Sequence, residues 1–261
     1  MPLEIPFYQV DAFTGRAFSG NPAGICLLDA WPSDSVMQAI AAENNLPETA
    51  FLVPSGKDYG LRWFTPTVEV DLCGHATLAS AHAIFTYVNP SLERVRFQTK
   101  SGMLSVERRA ELLVMDFPAT RPVPCARPDG IAEMLGENPS EVLRSRDLVL
   151  LLETEEQIRN LRPDMARIAT LDCFAVLVTA PGKDCDYVYR FFAPLQGIPE
   201  DPATGSAQCT LTPFWARRLN KKALHSLQLS SRVGEFYSED HGERVAIAGQ
   251  AVTFLTGTIR I

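Results

Sequence analysis

The chain has 261 residues, 46% hydrophobic and 21% charged, which supplies apolar surface for one large core or two smaller ones and argues against disorder. With 24 basic against 31 acidic residues, a net charge of −7 and no basic run beyond pairs such as Arg108-Arg109, there is no electrostatic reason to expect nucleic acid as a partner. No apolar run approaches the roughly 18 residues of a membrane span, and Met1-Pro2-Leu3-Glu4 does not open a signal peptide, so the expectation is a cytoplasmic protein with no membrane partner. The six cysteines are scattered without a C-x-x-C pair, which predicts reduced thiols rather than a disulfide framework or a zinc site.

In chain order, Phe7 to Phe13 and Gly24 to Leu28 read as strands around a Gly- and Asn-rich loop. Ser33 starts a helix that Asn44-Asn45 break. Thr49 to Val53 and Leu61 to Thr65 read as strands, and the alanine-rich stretch from His75 to Tyr87 as a helix. Val95 to Thr99, Met103 to Glu107 and Leu112 to Phe117 form a run of short strands. Pro118, Pro122, Pro124 and Pro128 then mark a linker near the midpoint.

Beyond it, helices are expected at Gly130 to Leu135, Pro139 to Leu143 and Glu155 to Leu161, and strands at Leu148 to Leu152, Phe174 to Thr179 and Tyr187 to Phe192. A helix from about Thr204 to Leu219 precedes strands near Leu227 to Leu229, Gly234 to Tyr237, Arg244 to Ala248 and Val252 to Ile261. Strands follow strands in runs, so the pattern predicts an α+β protein on mostly antiparallel sheet. The domain expectation is 1–118 and 119–261, with room for the chain termini to exchange a strand between lobes.

Two segments say the same thing. Arg62-Trp63-Phe64-Thr65-Pro66 runs into Cys73-Gly74-His75-Ala76-Thr77, and Arg190-Phe191-Phe192-Ala193-Pro194 runs into Asp201-Pro202-Ala203-Thr204-Gly205-Ser206-Ala207. Each is a basic and aromatic strand that ends at Pro and leads to a small-residue helix start. A helix start leaves backbone N–H groups unpaired and carries partial positive charge, so Gly74, Gly205 and Ser206 are candidates to hold a carboxylate. Tight helix packing would explain the small residues equally well. Glu48, flanked by Pro47 and the apolar Ala50-Phe51-Leu52-Val53, is the candidate acid/base, since burial would raise its carboxyl toward the range where it takes and returns protons. His75 and Asp201 could orient or bind substrate, or serve packing and a turn. Cys73 at a helix start could be an acid/base thiol or a buried structural residue.

At these residues the sequence resembles the phenazine-biosynthesis PhzF-like isomerase family, which shares the diaminopimelate epimerase fold. The resemblance is carried by Phe7-Tyr8-Gln9-Val10-Asp11-Ala12-Phe13-Thr14, Gly20-Asn21-Pro22-Ala23, Asn45-Leu46-Pro47-Glu48-Thr49-Ala50-Phe51, and both repeated segments. It implies two pseudo-symmetric lobes, each a sheet around a central helix, with a site between them, and no metal or organic cofactor. It places the acid/base on Glu48, and substrate orientation or carboxylate binding on His75, Asp201 and Ser206. The related epimerases use two opposed cysteines. Cys73 matches one, whereas Pro202 falls where the other would be, so a single-base proton shift on a small carboxylic acid is expected, in a possible homodimer. The alternatives are an amino-acid racemase or epimerase using Cys73, and a non-catalytic metabolite-binding protein.

Overall fold

The computed structural model describes residues 3–261; Met1 and Pro2 lie outside the described residues. The chain divides into two compact units, one formed by Met1–Asp116 with Ala248–Ile261 and the other by Phe117–Ile247.

The first unit begins with β1 (Glu4–Ala12), β2 (Asn21–Leu27), α1 (Asp34–Asn44), β3 (Glu48–Ser55), β4 (Asp58–Phe64) and β5 (Glu69–Val70). Then come α2 (Gly74–Ala83), β6 (Arg94–Thr99), β7 (Gly102–Arg109) and β8 (Leu112–Pro118). Strands β2 and β3 are parallel, β3 and β4 antiparallel, β4 and β6 parallel, β6 and β7 antiparallel. The C-terminal strand, Ala251–Arg260, runs antiparallel to β1 from Glu4↔Arg260 to Ala12↔Ala251.

Helix α2 explains its own composition. Its residues from His75 to Ala81, and Ala83, are all buried, and a helix buried on every side has no polar face to spare. Alanines let surrounding strands approach closely while favouring the helix. The two hydroxyls are absorbed internally, Thr77 Oγ1 donating to the Cys73 carbonyl at 2.6 Å and Ser80 Oγ to the Ala76 carbonyl at 2.7 Å. Helix α1 ends where the sequence places its break: Asn45 adopts the left-handed conformation, φ 49°, and its N–H closes on the Ala41 carbonyl, a stop that Asn tolerates better than most residues.

The second unit contains β9 (Val123–Pro124), α3 (Ile131–Leu135), β10 (Glu141–Arg144), β11 (Leu148–Leu151), α4 (Glu155–Asn160) and α5 (Met165–Ile168). It continues with β12 (Val176–Pro181), β13 (Tyr187–Phe192), α6 (Gly205–Leu219), β14 (Ala223–Gln228), β15 (Gly234–Asp240) and β16 (Arg244–Gly249). Its pairing repeats the first unit's: β11 and β12 parallel, β12 and β13 antiparallel, β13 and β14 parallel, β14 and β15 antiparallel. Its core joins Leu148, Leu150, Val176, Val178, Val188 and Phe192 from these strands to Ile131, Leu135 and Ile158 from the helices. The architecture is α+β on a mixed, largely antiparallel framework, as the strand runs predict.

The expected helix at Pro139 to Leu143 is instead strand β10, paired antiparallel with β11. Pro139-Ser140-Glu141 reads locally as a helix start, but β11 presents four buried apolar residues whose backbone needs a partner on this side, and tertiary pairing overrides the local preference. Strand β14 also begins earlier, at Ala223, than the expected Leu227. Proline enters α6 at Pro213, which lacks the N–H that the Cys209 carbonyl would accept from. Thr120 replaces it, its N–H donating to that carbonyl at 2.8 Å, so the proline-rich segment docks where the helix is short of a donor. No helix among the described residues is long and apolar enough to cross a membrane.

Candidate active site

Three side chains predicted or considered for chemistry converge in the first unit. Glu48 is the first residue of β3, paired in register with Ala23 of β2. That pairing is fixed next door by Gly24, where a Cβ would meet Phe7 Cε2 at 2.9 Å and Thr49 Oγ1 at 3.2 Å. Cys73 is the N-cap of α2 and His75 its second residue. His75 Nε2 lies 3.0 Å from Glu48 Oε2, and Cys73 Sγ lies 3.5 Å from His75 Nδ1. One ligand-type atom from each residue falls within 4.8 Å of the other two. Cys73 and His75 are buried, and the Glu48 side chain is 13% exposed.

Glu48 Oε2 is buried, and His75 Nε2 at 3.0 Å is its one hydrogen-bonding neighbour among the described residues, so part of its acceptor capacity is left for a further partner. Burial, followed by the Glu48 carboxylate, pushes the Cys73 thiol up, with His75 opposing, so the sulfur is held as a thiol at neutral pH. Burial works to lower the His75 imidazole, but the charge a Cys73 thiolate would carry, the Glu48 carboxylate and the hydrogen bonds to both outweigh it and raise it well above its usual range.

An ionic clamp holds the loop that delivers Cys73. Arg62 on β4 makes two parallel bonds to Glu69, Nε to Oε1 at 2.7 Å and a terminal nitrogen to Oε2 at 2.8 Å, and lies over the Phe64 ring. Thr65 Oγ1 accepts from the Val68 N–H, and Ser101 Oγ donates to the Asp71 carbonyl. The second unit repeats the clamp: Arg190 on β13 bonds Glu200 at 2.7 and 2.8 Å and lies over Phe192. Neither glutamate was singled out from the sequence. A basic residue followed by aromatics at each repeat was the available signal.

Asp201, Gly205 and Ser206 belong to the second unit. Here the loop before α6 is tied through Gln228, fully buried on β14, whose Oε1 accepts from the Thr204 N–H at 2.6 Å and whose Nε2 donates to the Asp201 carbonyl. Thr204 Oγ1 donates to Asp201 Oδ2, and Ser230 Oγ to the Pro202 carbonyl. Ser206 is exposed and Gly205 buried. Gly74 has open space where a Cβ would stand. Since α2 and α6 both begin at glycine, with Cys73 and Thr204 as their N-caps, the residue matching Cys73 is Thr204. Pro202, the expected match, lies two residues before that N-cap, so by N-cap position Thr204 and not Pro202 is the counterpart of Cys73.

The thiol, imidazole and carboxylate could hold a divalent metal or pass a proton along the cluster. A family model described as phenazine biosynthesis-like protein matches residues 10–257. An uncharacterized isomerase of Pseudomonas aeruginosa is 51% identical over 260 residues, spanning 99% of this chain and 100% of its own. The crystal structure of a phenazine biosynthesis PhzF-family protein from Enterococcus faecalis aligns with a TM-score of 0.98 at 42% identity, over 99% of this chain and 100% of that one. A hydroxyproline epimerase from Agrobacterium vitis, solved with trans-4-hydroxy-L-proline bound, aligns with a TM-score of 0.61 at 10% identity over 99% and 93% of the two chains, a likeness of fold.

Proposed function

Because the chain belongs to the phenazine biosynthesis-like family and is an isomerase-type enzyme, we propose that it acts on a small carboxylic acid and that Cys73, His75 and Glu48 together form its acid/base centre. The observation that carries this reading is the contact of His75 with both other groups, Glu48 Oε2 at 3.0 Å from Nε2 and Cys73 Sγ at 3.5 Å from Nδ1 and 4.0 Å from Nε2. In the proposed cycle, the Glu48 carboxylate takes a proton from a carbon made acidic by conjugation to the substrate carboxylate. The Cys73 thiol gives a proton to a second carbon. His75 then returns the balance by passing a proton from Glu48 to the thiolate, so the enzyme ends as it began. In the first unit the backbone N–H at Gly74, at the start of α2, is assigned the substrate carboxylate and the negative charge that develops on it; in the second unit Gly205 and Ser206, at the start of α6, are proposed as donors of the same kind, and Asp201 as a hydrogen-bonding group.

Group separation favours proton transfer on one face. Two bases that invert a carbon flank it, each at about 3–3.5 Å, and so stand roughly 6–7 Å apart. The cluster spans no more than 4.8 Å, whereas two carbons in a 1,3 relation, about 2.5 Å apart by bond geometry, can both be reached from one side. The second reading is a racemase or epimerase that uses Cys73 as the carbon base, and the sulfur beside His75 is the observation in its favour.

A panel of small unsaturated and amino carboxylic acids incubated in deuterium oxide separates these readings by mass and by position of label. Glu48→Gln and Cys73→Ser should each lower exchange by about 10²–10⁴-fold. Loss on Glu48→Gln alone would leave a single-glutamate mechanism; loss on Cys73→Ser alone, with label at the α-carbon, would select the racemase.

A further inference from the structure

The structure assigns a second capacity to the same three side chains: we propose that Cys73, His75 and Glu48 bind one zinc ion, and that zinc thereby blocks the acid/base centre. This goes beyond the proton-transfer reading and rests on it only for the inhibition, not for the binding. The resemblance to cofactor-independent isomerases gives no role to a metal here, so bound zinc would be an antagonist.

Ligand chemistry is the first argument. A thiolate, an imidazole nitrogen and a carboxylate oxygen are the three donor types zinc selects, and three protein ligands with a fourth position open is a common arrangement of accessible zinc sites. Cys73 and His75 are fixed by the first turn of α2 and Glu48 by the first residue of β3, so all three donors sit on regular elements. Sequence spacing alone did not disclose the group, because Glu48 joins it from a separate strand.

Distances supply the second argument. His75 Nε2 stands 3.0 Å from Glu48 Oε2 and 4.0 Å from Cys73 Sγ, and all three donors lie within 4.8 Å. Zinc bond lengths of about 2.0–2.3 Å at tetrahedral angles place neighbouring ligand atoms roughly 3.3–3.6 Å apart. The observed edges bracket that value, and small rotations of the Glu48 and Cys73 side chains reconcile them.

The third argument is the burial of Glu48 Oε2: it is a buried oxygen 3.0 Å from Nε2 with no further hydrogen-bond partner among the described residues, which leaves lone-pair capacity for a cation. The Glu48 side chain is 13% exposed, although Oε2 itself is buried, and the space where a Gly74 Cβ would stand is open.

The test uses the full-length protein, stripped with chelator, and zinc or cobalt ions alone as probes. Calorimetry should find one zinc per chain, and cobalt should give a tetrahedral spectrum with a sulfur-to-metal charge-transfer band. Cys73→Ser should remove that band, and both it and Glu48→Gln should weaken zinc binding on the order of 100-fold or more, with circular dichroism confirming the fold. His241→Gln removes the exposed histidine near Glu239 and should change nothing. Absence of one-to-one binding, a cobalt spectrum without the sulfur band, or loss of binding in His241→Gln instead of Cys73→Ser would each overturn the proposal. Zinc that binds at the cluster but leaves deuterium exchange unaffected would overturn the inhibition. If no acid in the panel exchanges, the proton-transfer reading fails while the binding measurements still decide the metal site.

Discussion

Replacing Arg62 by Met removes the guanidinium that grips Glu69 while keeping an apolar stem for the Phe64 ring. Glu69 is held at about 2 instead of 4.5, first by its bonds to Arg62, with burial opposing and Lys100 adding. A shift of about 2.5 pH units corresponds to about 3 kcal/mol of interaction. Lys100 supplies part of it, and the Arg62 side chain is 20% exposed, so solvent screens the pair and the coupling between Arg62 and Glu69 should be about 2 kcal/mol. Urea unfolding of the wild type, Arg62→Met, Glu69→Gln and the double variant at pH 7 measures it as a double-mutant cycle. Because the folded carboxyl is depressed below its unfolded value, the contribution is complete above about pH 4.5 and is lost as pH falls through about 2. Glu69→Gln should therefore flatten stability between about pH 5 and 2 relative to wild type. A coupling below about 0.5 kcal/mol, or superimposable pH profiles, would refute the assignment of this clamp as the restraint on the loop that carries Cys73.

His82, on α2, shares a 2.9 Å hydrogen bond with Thr253 Oγ1 on the C-terminal strand, and burial, with Arg108 adding, holds its imidazole at about 4. The ring is kept neutral in the folded state, so its contribution is complete above about pH 6.5 and is lost as pH falls to 4, up to about 3 kcal/mol; His82→Gln should give a melting temperature that changes less between pH 7 and 5, and an unchanged slope would count against the burial argument. Gln228→Leu should cost about 1–3 kcal/mol in urea unfolding by removing the acceptor of the buried Thr204 N–H, whereas a loss under about 0.5 kcal/mol would show that the loop finds other partners.

The doubled framework was legible because each repeat carries its own local chemistry: an arginine and aromatics on a strand, a proline, then a glycine opening a helix of small residues. The resemblance supplied roles for Glu48 and His75 and the helix start made Cys73 a candidate, but the contact of the three side chains became visible only in the fold. The clamps were hidden because their spacing differs, seven residues from Arg62 to Glu69 and ten from Arg190 to Glu200, so no fixed interval announces a pair. Gln228 looks in sequence like any polar residue ending a strand; sheet register gives it its purpose. Tyr59 faces Phe97 in the first unit and Tyr187 faces Ser226 in the second, which puts Gln228 at the position of Thr99, a side chain occupied with its own turn. At Pro139 to Leu143 the local signal was present and wrong, because the demand came from β11.

The return of the C-terminal strand to β1 sets a timetable for synthesis. Residues 117–247 form one contiguous unit, complete in the nascent chain before residues 251–260 emerge. The unit made first must therefore wait, with one side of β1 unpaired, while about 140 further residues are added, roughly 7–30 s at elongation rates of about 5–20 residues per second. An open strand edge is an aggregation template, so the interval is the chain's exposed period during expression. The unit that houses Glu48, Cys73 and His75 is begun first and closed last.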